Sequence, residues 1–292
     1  MKIITAVVNN PVFIELQYYT LQKYFKGEYE FIVFNDAKDF ADYTNGYDIT
    51  IKAQIEDMCR KLNIQCINIP NNHHKMQTAG SIRTAESMNY ILNYQIQNPD
   101  KYLVLDSDMF LIDYFDINKY SSYDCAIVLQ SRNLHDGTAY YFWNGIYYFD
   151  MSRLKNVEML NWNCCDGCDT GGMMQQWLKT QFGNNNSIMP NTDDIRWKKN
   201  MQFHTDTIYF IKHLWSCTWD VTEIPKNIQD NPSLSKLLDF IKNDTRNVNG
   251  KFFCEIYDNV FLHYRAGSNW QNEGLGFHKK ITQLLKESLL SD

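Results

Sequence analysis

The chain has 292 residues, of which 44% are hydrophobic and 21% charged, and its formal net charge is −6. A chain of this length and composition can bury one large core or two small ones. The negative charge and the lack of a block of basic residues argue against nucleic acid or an anionic membrane as the main partner.

No apolar run approaches the length of about 20 residues that crosses a bilayer. The N-terminal stretch from Met1 to Val8 is short and has no small-residue cleavage site, so it is not typical of a signal peptide. The sequence therefore predicts a cytoplasmic protein without a transmembrane segment, and it leaves peripheral membrane association open. Cys164, Cys165 and Cys168 form a cluster, but a structural zinc site usually needs a second cysteine or histidine pair, and none follows.

Strands and helices alternate through the first half of the chain. Strands are predicted at 2–8, 31–34, 66–69 and 102–105, and helices from Pro11, around 55–62 and at 81–96. This alternation predicts a mostly parallel sheet with helices on both faces. Ligands of such sheets bind at the carboxyl ends of the strands.

The second half is less regular. Strands are predicted at 126–129, 144–149 and 260–263, helices at 171–179, 234–241 and 281–290, and a loop at 183–186. Because no repeat or linker interrupts the chain, we predict one α/β domain over 1–292. Its central sheet would be mostly parallel and flanked by helices, with a smaller mixed C-terminal part and a peripheral excursion at about 225–250.

Asp106-Ser107-Asp108 directly follows the apolar strand 102–105. Two carboxylates one residue apart at a strand end can reach a single hard divalent cation. The motif alone is weak, since Asp-x-Asp is common by chance and can simply cap a strand.

His263 is the predicted third ligand, because it ends a second apolar strand, and a nitrogen ligand suits Mn²⁺ better than Mg²⁺. The residues after it could serve a diphosphate, since Arg265 carries a positive charge and Gly267-Ser268-Asn269 offers amides and a hydroxyl.

Several motifs follow one another along the chain: Thr5, Val8 and Asn9; Arg83; Asp106 to Asp108; Trp143-Asn144-Gly145; Asp166 to Gly171; and His263 with Gly267 and Trp270. In order and approximate spacing they resemble the glycosyltransferases of the GT-A fold. The resemblance is greatest to the retaining group that includes glycogenin and the bacterial lipopolysaccharide galactosyl- and glucosyltransferases. It covers nearly the whole chain and implies a Rossmann-like domain with a nucleotide-binding half, 1–110, and a half for donor sugar and acceptor, 111–292.

The resemblance also implies an activity, in which a hexose or pentose moves from a nucleotide diphosphate sugar to a glycan, a lipid-linked sugar or a protein hydroxyl. A UDP-sugar is the favoured donor, Mn²⁺ or Mg²⁺ the cofactor, and retention the expected outcome. Asp106, Asp108 and His263 would hold the metal, and the catalytic residues would be Arg83, Asp166 and Asp169. Contacts to the nucleotide sugar are implied for Thr5, Ala6, Val8, Asn9, Arg83, Asp106, Ser107, Asn144, Gly145, Arg265, Gly267, Ser268, Asn269 and Trp270.

The sequence departs from the family pattern after His263. Gly267 lies four residues beyond it rather than three, and Ser268-Asn269 replaces a Lys-Pro pair. The lysine that would neutralise the leaving diphosphate is therefore missing, and Arg265 is its candidate replacement. An inverting enzyme would instead need a carboxylate base at the acceptor hydroxyl, for which the candidates are Asp169, Asp193, Asp194 and Asp206.

Three alternatives stay open. A haloacid-dehalogenase-like phosphohydrolase also places Asp-x-Asp after an apolar strand, but Phe110 occupies a position where that class usually has a small β-branched residue. A sugar-nucleotide pyrophosphorylase would need a glycine-rich phosphate loop after the first strand, and the sequence has none there. A catalytically silent carbohydrate-binding protein on the same fold would not need the acidic pair and His263.

Overall fold

The computed structural model describes residues 1–135, 137–165, 167–182, 205–270 and 274–290. Within these ranges the α-helices are α1 Pro11–Tyr24, α2 Ile51–Lys61, α3 Gly80–Gln97, α4 Asn118–Ser121, α5 Met174–Phe182, α6 Lys226–Gln229, α7 Ser235–Asn243 and α8 Leu275–Leu289. The strands are β1 Lys2–Val7, β2 Phe25–Lys26, β3 Glu30–Asn35, β4 Gln65–Asn68, β5 Lys101–Asp106, β6 Met109–Leu111, β7 Phe115–Asp116, β8 Cys125–Leu134, β9 Gly137–Asp150, β10 Ile208–Phe210, β11 His213–Leu214, β12 Glu255–Tyr257 and β13 Phe261–His263. The helices and strands predicted within these ranges are all present. The loop predicted at 183–186 lies outside the described residues.

The central sheet has seven strands in the order β10-β8-β9-β5-β1-β3-β4. β9 runs antiparallel to both of its neighbours, β8 and β5, whereas β10 is parallel to β8 and β3 to β4. Helix α2 packs against β3 and β4, and α5 packs against β9. The predicted α/β class, with a mostly parallel central sheet flanked by helices, is confirmed.

A second sheet has four antiparallel strands in the order β11-β12-β13-β6. It begins where the central sheet's β5 ends, because only Ser107 and Asp108 separate β5 from β6. β13 is paired on both sides, with β12 and with β6, so the predicted strand at 260–263 is an inner strand of this smaller sheet.

An apolar cluster packs against the smaller sheet. It includes Phe110 and Leu262 from the strands and Leu285 from α8, all of them buried. Helices α6 and α7, in the stretch expected to be peripheral, contribute Ile228 and Ile241 to the same cluster. Their apolar side chains therefore belong to the core.

The chain forms two compact units, each built from three segments. The first unit comprises Met1–Ile4, Ile69–Leu105 and Asn118–Lys212, and the second comprises Thr5–Asn68, Asp106–Ile117 and His213–Asp292. The prediction of one domain over 1–292 stays a prediction. Among the described residues, none of the helices combines the length and the apolarity needed to span a bilayer.

Candidate metal centre

Strand ends and strand register place three potential ligands together. Asp106 is the last residue of β5, and Asp108 immediately precedes β6. His263 ends β13 and lies opposite Met109 of β6, next to Asp108. Pairing of β13 with β6 therefore joins residues that are 155 positions apart in the sequence.

The ligand atoms of this triad converge. His263 Nε2 lies 3.0 Å from Asp108 Oδ1 and 3.8 Å from Asp106 Oδ2, and one ligand atom from each residue lies within 4.8 Å of the others. Two ligands held about 2.1 Å from a divalent cation at right angles to each other are about 3.0 Å apart. The triad thus fits adjacent positions around one cation, and oxygen plus imidazole donors suit Mn²⁺.

A fourth buried residue, Glu255, fixes the imidazole from behind. Glu255 lies opposite His263 in the β12–β13 pairing, and its Oε2 is 2.8 Å from His263 Nδ1. The Tyr257 hydroxyl donates to the same oxygen at 2.7 Å, and the Ser216 amide donates to Oε1 at 3.1 Å. With Nδ1 engaged in this way, Nε2 faces the two aspartates. A carboxylate behind a ligating histidine orients the ring and raises its basicity.

The charges of this group are strongly coupled. Burial by itself lowers the pKa of His263, but Asp108 and Glu255 outweigh it and raise the pKa to about 10. Burial opposes ionisation of Asp108 and Glu255, yet His263 lowers the pKa of both. Desolvation and the charge of Asp108 raise the pKa of Asp106 to about 7, although its side chain is 37% exposed. The two carboxylates therefore favour the protonated imidazole, and a cation that binds Nε2 competes with a proton for that atom.

Gly267 allows a close approach to Asp108. Its amide donates to Asp108 Oδ2 at 2.7 Å, and a Cβ at this position would lie 2.9 Å from that oxygen and 2.7 Å from Tyr264 Cδ1. No larger residue fits there without displacing the ligand. The amide predicted to contact a diphosphate is thus engaged with Asp108 in this structure.

The turn before Gly267 has an unusual backbone. Arg265 and Ala266 have φ of 61° and 55°, a left-handed conformation that is costly for residues with a side chain. The buried guanidinium of Arg246 donates to the carbonyl oxygens of Arg265 at 2.8 Å and Tyr264 at 3.1 Å, and Asp244 Oδ2 accepts from it at 2.7 Å. Arg246 therefore stabilises the turn that presents Gly267.

The turn between the two aspartates is held by Gln17 of α1. Its Nε2 donates to the carbonyl oxygen of Asp106 at 2.8 Å and to that of Met109 at 3.0 Å. The Asp106 carboxylate also accepts from the Ser107 amide at 2.8 Å. These bonds fix the backbone of the acidic motif from the helix side.

Asn9 and two serines predicted to contact the nucleotide lie beside the triad. The Asn9 amide donates to the carbonyl oxygens of Thr44 at 2.7 Å and Ser268 at 2.9 Å, and Ser268 Oγ is 3.0 Å from Ser107 Oγ. Asn9 Oδ1 and Thr5 Oγ1 are buried acceptors with no hydrogen-bond partner among the described residues. Unsatisfied buried polar atoms of this kind are expected at a site for a polar ligand.

The remaining predicted residues of the second unit have varied environments. Ala6 and Val8 are half-buried, and Asn269 is exposed. Trp270 is buried and donates to the Gly267 carbonyl oxygen at 3.1 Å. The Arg265 guanidinium donates to Ser216 Oγ at 2.6 Å, and its Nε is 3.5 Å from Glu255 Oε1.

The other predicted residues belong to the first unit. Arg83 is buried, and its guanidinium donates to the carbonyl oxygens of Gln77 and His74. Asn144 and Gly145 lie on β9, where the Trp143 indole covers Gly145 so closely that a Cβ would be 2.0 Å from its ring. Asp169 is exposed and accepts from the Thr170 amide at 2.8 Å. The roles assigned to these residues stay predictions.

The sequence also named acidic residues as candidates for the sugar pocket or a catalytic base. Asp206 is exposed just before β10. Asp166, Asp193 and Asp194 lie outside the described residues.

Sequence reasoning missed Glu255, Gln17 and Arg246. A signal for Glu255 does exist, because Asp258-Asn259 is typical of a hairpin turn and both residues have positive φ. If a hairpin is assumed at that turn, the residue opposite His263 on the neighbouring strand is Glu255. Gln17 and Arg246 each donate two long-range hydrogen bonds to backbone carbonyl oxygens, and no local sequence pattern predicts such bonds.

No protein-family model and no curated protein matches the chain. Among solved structures, the chain is similar to a galactosyltransferase, LgtC, determined in complex with donor and acceptor sugar analogues. The match covers 100% of this chain and 97% of that one, with 14% sequence identity and a TM-score of 0.43. Similarity at this level identifies no activity, so any functional conclusion depends on the side chains described above.

Proposed function

We propose that the protein is a metal-dependent glycosyltransferase of the GT-A type that takes a sugar from a nucleotide diphosphate, with a UDP-sugar as the favoured donor. The observation that supports this is the convergence of Asp106 and His263, which end buried strands, with Asp108, which immediately precedes another, with ligand atoms within 4.8 Å of one another. An acidic pair with a buried, carboxylate-oriented imidazole is a donor set for a divalent cation.

The triad would hold Mn²⁺ or Mg²⁺. When bound, the cation supplies positive charge that offsets the charge developing on the departing diphosphate. With the cation bound, Glu255 would keep the remaining proton of His263 on Nδ1 and leave Nε2 as the ligand. Gly267 holds one oxygen of Asp108 and leaves the other, Oδ1, for the cation.

The nucleotide would bind beside the triad. Asn9 Oδ1 and Thr5 Oγ1 are buried acceptors that can receive hydrogen bonds from a base or a ribose. Ser107 and Ser268 bring two hydroxyls to the same place. Ala6, Val8, Asn269 and Trp270 complete the proposed contact set in this unit. Arg265, whose side chain is 37% exposed, is the proposed cationic group for the diphosphate.

We assign donor-sugar contacts and catalytic roles to Arg83, Asp166, Asp169, Asn144 and Gly145. The acceptor is a glycan, a lipid-linked sugar or a protein hydroxyl, and the transfer proceeds with retention. In a retaining reaction the departing phosphate can take the acceptor proton, so no carboxylate base is required.

The test is hydrolysis of a panel of nucleotide sugars by the purified protein with Mn²⁺, because transfer to water reports the donor without the acceptor. We expect hydrolysis of a UDP-sugar that stops on chelation, and a UDP-induced rise in Tm that requires Mn²⁺. Asp108→Asn should lose both, while Asp57→Asn, a change on the exposed face of α2, should keep both. Release of phosphate from small phosphomonoesters would instead favour the haloacid-dehalogenase-like phosphohydrolase. Absence of nucleotide binding would favour the catalytically silent carbohydrate-binding protein.

A further inference from the structure

A second group of metal-ligating side chains lies in the first unit. His73 and His74 belong to a short 3₁₀ turn, Asn72–Met76, and Glu86 lies on α3. Both imidazoles direct Nε2 at one oxygen, Glu86 Oε2, at 2.7 Å from His73 and 2.5 Å from His74. Among the described residues, only this group and the Asp106, Asp108 and His263 triad bring three such ligand atoms within 4.8 Å of one another.

The same three residues line a cavity of about 300 Å³, together with Pro70, Asn89 and Tyr90. The His74 side chain is 1% exposed, whereas those of His73 and Glu86 are 60% and 39% exposed. His74 is thus fixed by packing, and the other two side chains have room to adjust.

The donor set has a chemical preference. Two imidazole nitrogens and one carboxylate are the protein ligands of many zinc sites that keep a further position for water. The Glu86 carboxylate supplies the oxygen on which both imidazoles converge. A group with two imidazoles is softer than the Asp-Asp-His triad and selects Zn²⁺ over Mg²⁺.

We propose that His73, His74 and Glu86 bind a divalent transition-metal ion, with Zn²⁺ as the matching ion, at a site that shares no ligand with the triad of Asp106, Asp108 and His263. Ligands held about 2.05 Å from a tetrahedral ion are about 3.4 Å apart, so the Glu86 oxygen must withdraw from the two rings by less than about 1 Å. The exposure of Glu86 and His73 allows this shift. The cavity supplies water for the fourth position.

Such an ion would fasten the 3₁₀ turn to α3. Arg83, one turn before Glu86 on α3, already donates to the carbonyl oxygens of His74 and Gln77. The bound ion would therefore add a second link between the same two segments, and it would order the stretch that leads into the helix.

The test measures Zn²⁺ binding by the full chain after chelation, in competition with a chromogenic chelator, and repeats the measurement with Co²⁺, whose visible absorption reports tetrahedral coordination. We expect Asp108→Asn to retain one tight equivalent of Zn²⁺ and the Co²⁺ bands. Adding Glu86→Gln or His73→Ala to this variant should weaken Zn²⁺ binding at least tenfold and remove the Co²⁺ bands. Removing even an outer hydrogen-bond partner of a ligand lowers metal affinity about 10-fold or more, and removing a ligand itself should lower it further.

Two controls separate this site from other binders. His135→Ala removes an exposed histidine outside the cluster and should leave Zn²⁺ binding unchanged. A variant with Cys164, Cys165 and Cys168 all replaced by serine should also keep it. The proposal is wrong if Asp108→Asn takes up no Zn²⁺, if Glu86→Gln leaves binding unchanged, or if the serine variant alone abolishes it.

Discussion

The two ligand clusters of this protein are built in different ways. Asp108, His263 and Glu255 lie on or beside paired strands and are almost fully buried, at 3%, 4% and 1% exposure. In the other cluster, which comes from a short turn and a helix, the side chains of His73 and Glu86 are 60% and 39% exposed, and only that of His74 is buried. Strand register fixes the first cluster whether or not an ion is present, whereas the second can open around one.

The two clusters should also differ in how much their ion pairs contribute to stability. Breaking a buried ion pair by removing one partner typically costs about 3–5 kcal/mol, because the other charge is left uncompensated. A solvent-exposed pair is worth about 0–1 kcal/mol. Substitutions in the buried cluster should therefore affect both folding and ligand binding, and those of His73 and Glu86 mainly ligand binding.

The largest effect is expected for Asp108→Asn. It removes the anionic ligand that bonds both His263 and Gly267, so Mn²⁺ affinity should fall more than about 100-fold, beyond the effect of an outer-shell change. Free Mn²⁺ measured by electron paramagnetic resonance gives the affinity, and circular dichroism checks the fold. An unchanged affinity in a folded variant would exclude Asp108 as a ligand.

A smaller loss is expected for Glu255→Gln. The amide can still accept a bond from His263 Nδ1, but it lacks the charge that makes the imidazole basic, so Mn²⁺ affinity should fall about 10- to 100-fold. The same titration measures it, with Glu287→Gln on the exposed face of α8 as the matched control. A result equal to that control would mean that Glu255 does not tune the site.

Gly267→Ala tests packing against the ligand. The added Cβ would lie within 3.0 Å of Asp108 Oδ2, Tyr264 and Phe13, so we expect a loss of about 1–3 kcal/mol in the free energy of unfolding. Gly276→Ala is the matched control, since a Cβ there meets no atom within 4 Å and alanine favours helix. Urea unfolding of both variants gives the comparison, and equal stabilities would contradict the close approach.

The smallest effect is expected for Ser107→Ala. It removes one hydrogen bond, to Ser268, and should lower the free energy of unfolding by about 0.5–1.5 kcal/mol while Mn²⁺ affinity stays within twofold. A fall of more than about twofold in UDP affinity, measured by calorimetry, would show that the Ser107 hydroxyl contacts the nucleotide directly.

Much of the fold was predictable because its signals are local. The apolar run 102–105 and the helical spacing of 81–96 produce β5 and α3 at nearly the expected bounds. Short strands such as β6 and β12, with three residues each, carry too little pattern to be recognised alone. β6 forms because the distant strand β13 pairs with it, and β12 forms between the distant strand β11 and its hairpin partner β13.

The candidate site also combines residues with a local sequence signal and residues without one. Asp106, Asp108 and His263 could be named from the sequence because each follows or ends an apolar strand, and the structure brings them together. Gln17 and Arg246 could not, since their contribution is hydrogen bonds to backbone carbonyl oxygens that exist only once the turns have formed. The His73, His74 and Glu86 group needs the α3 geometry to become visible.

The separation of Asp108 from His263 by 155 residues has a consequence for synthesis. During translation the acidic pair leaves the ribosome long before the imidazole does, so cation affinity should arise abruptly once β13 is released and pairs with β6. Tight Mn²⁺ uptake would thus distinguish completed molecules from stalled nascent chains.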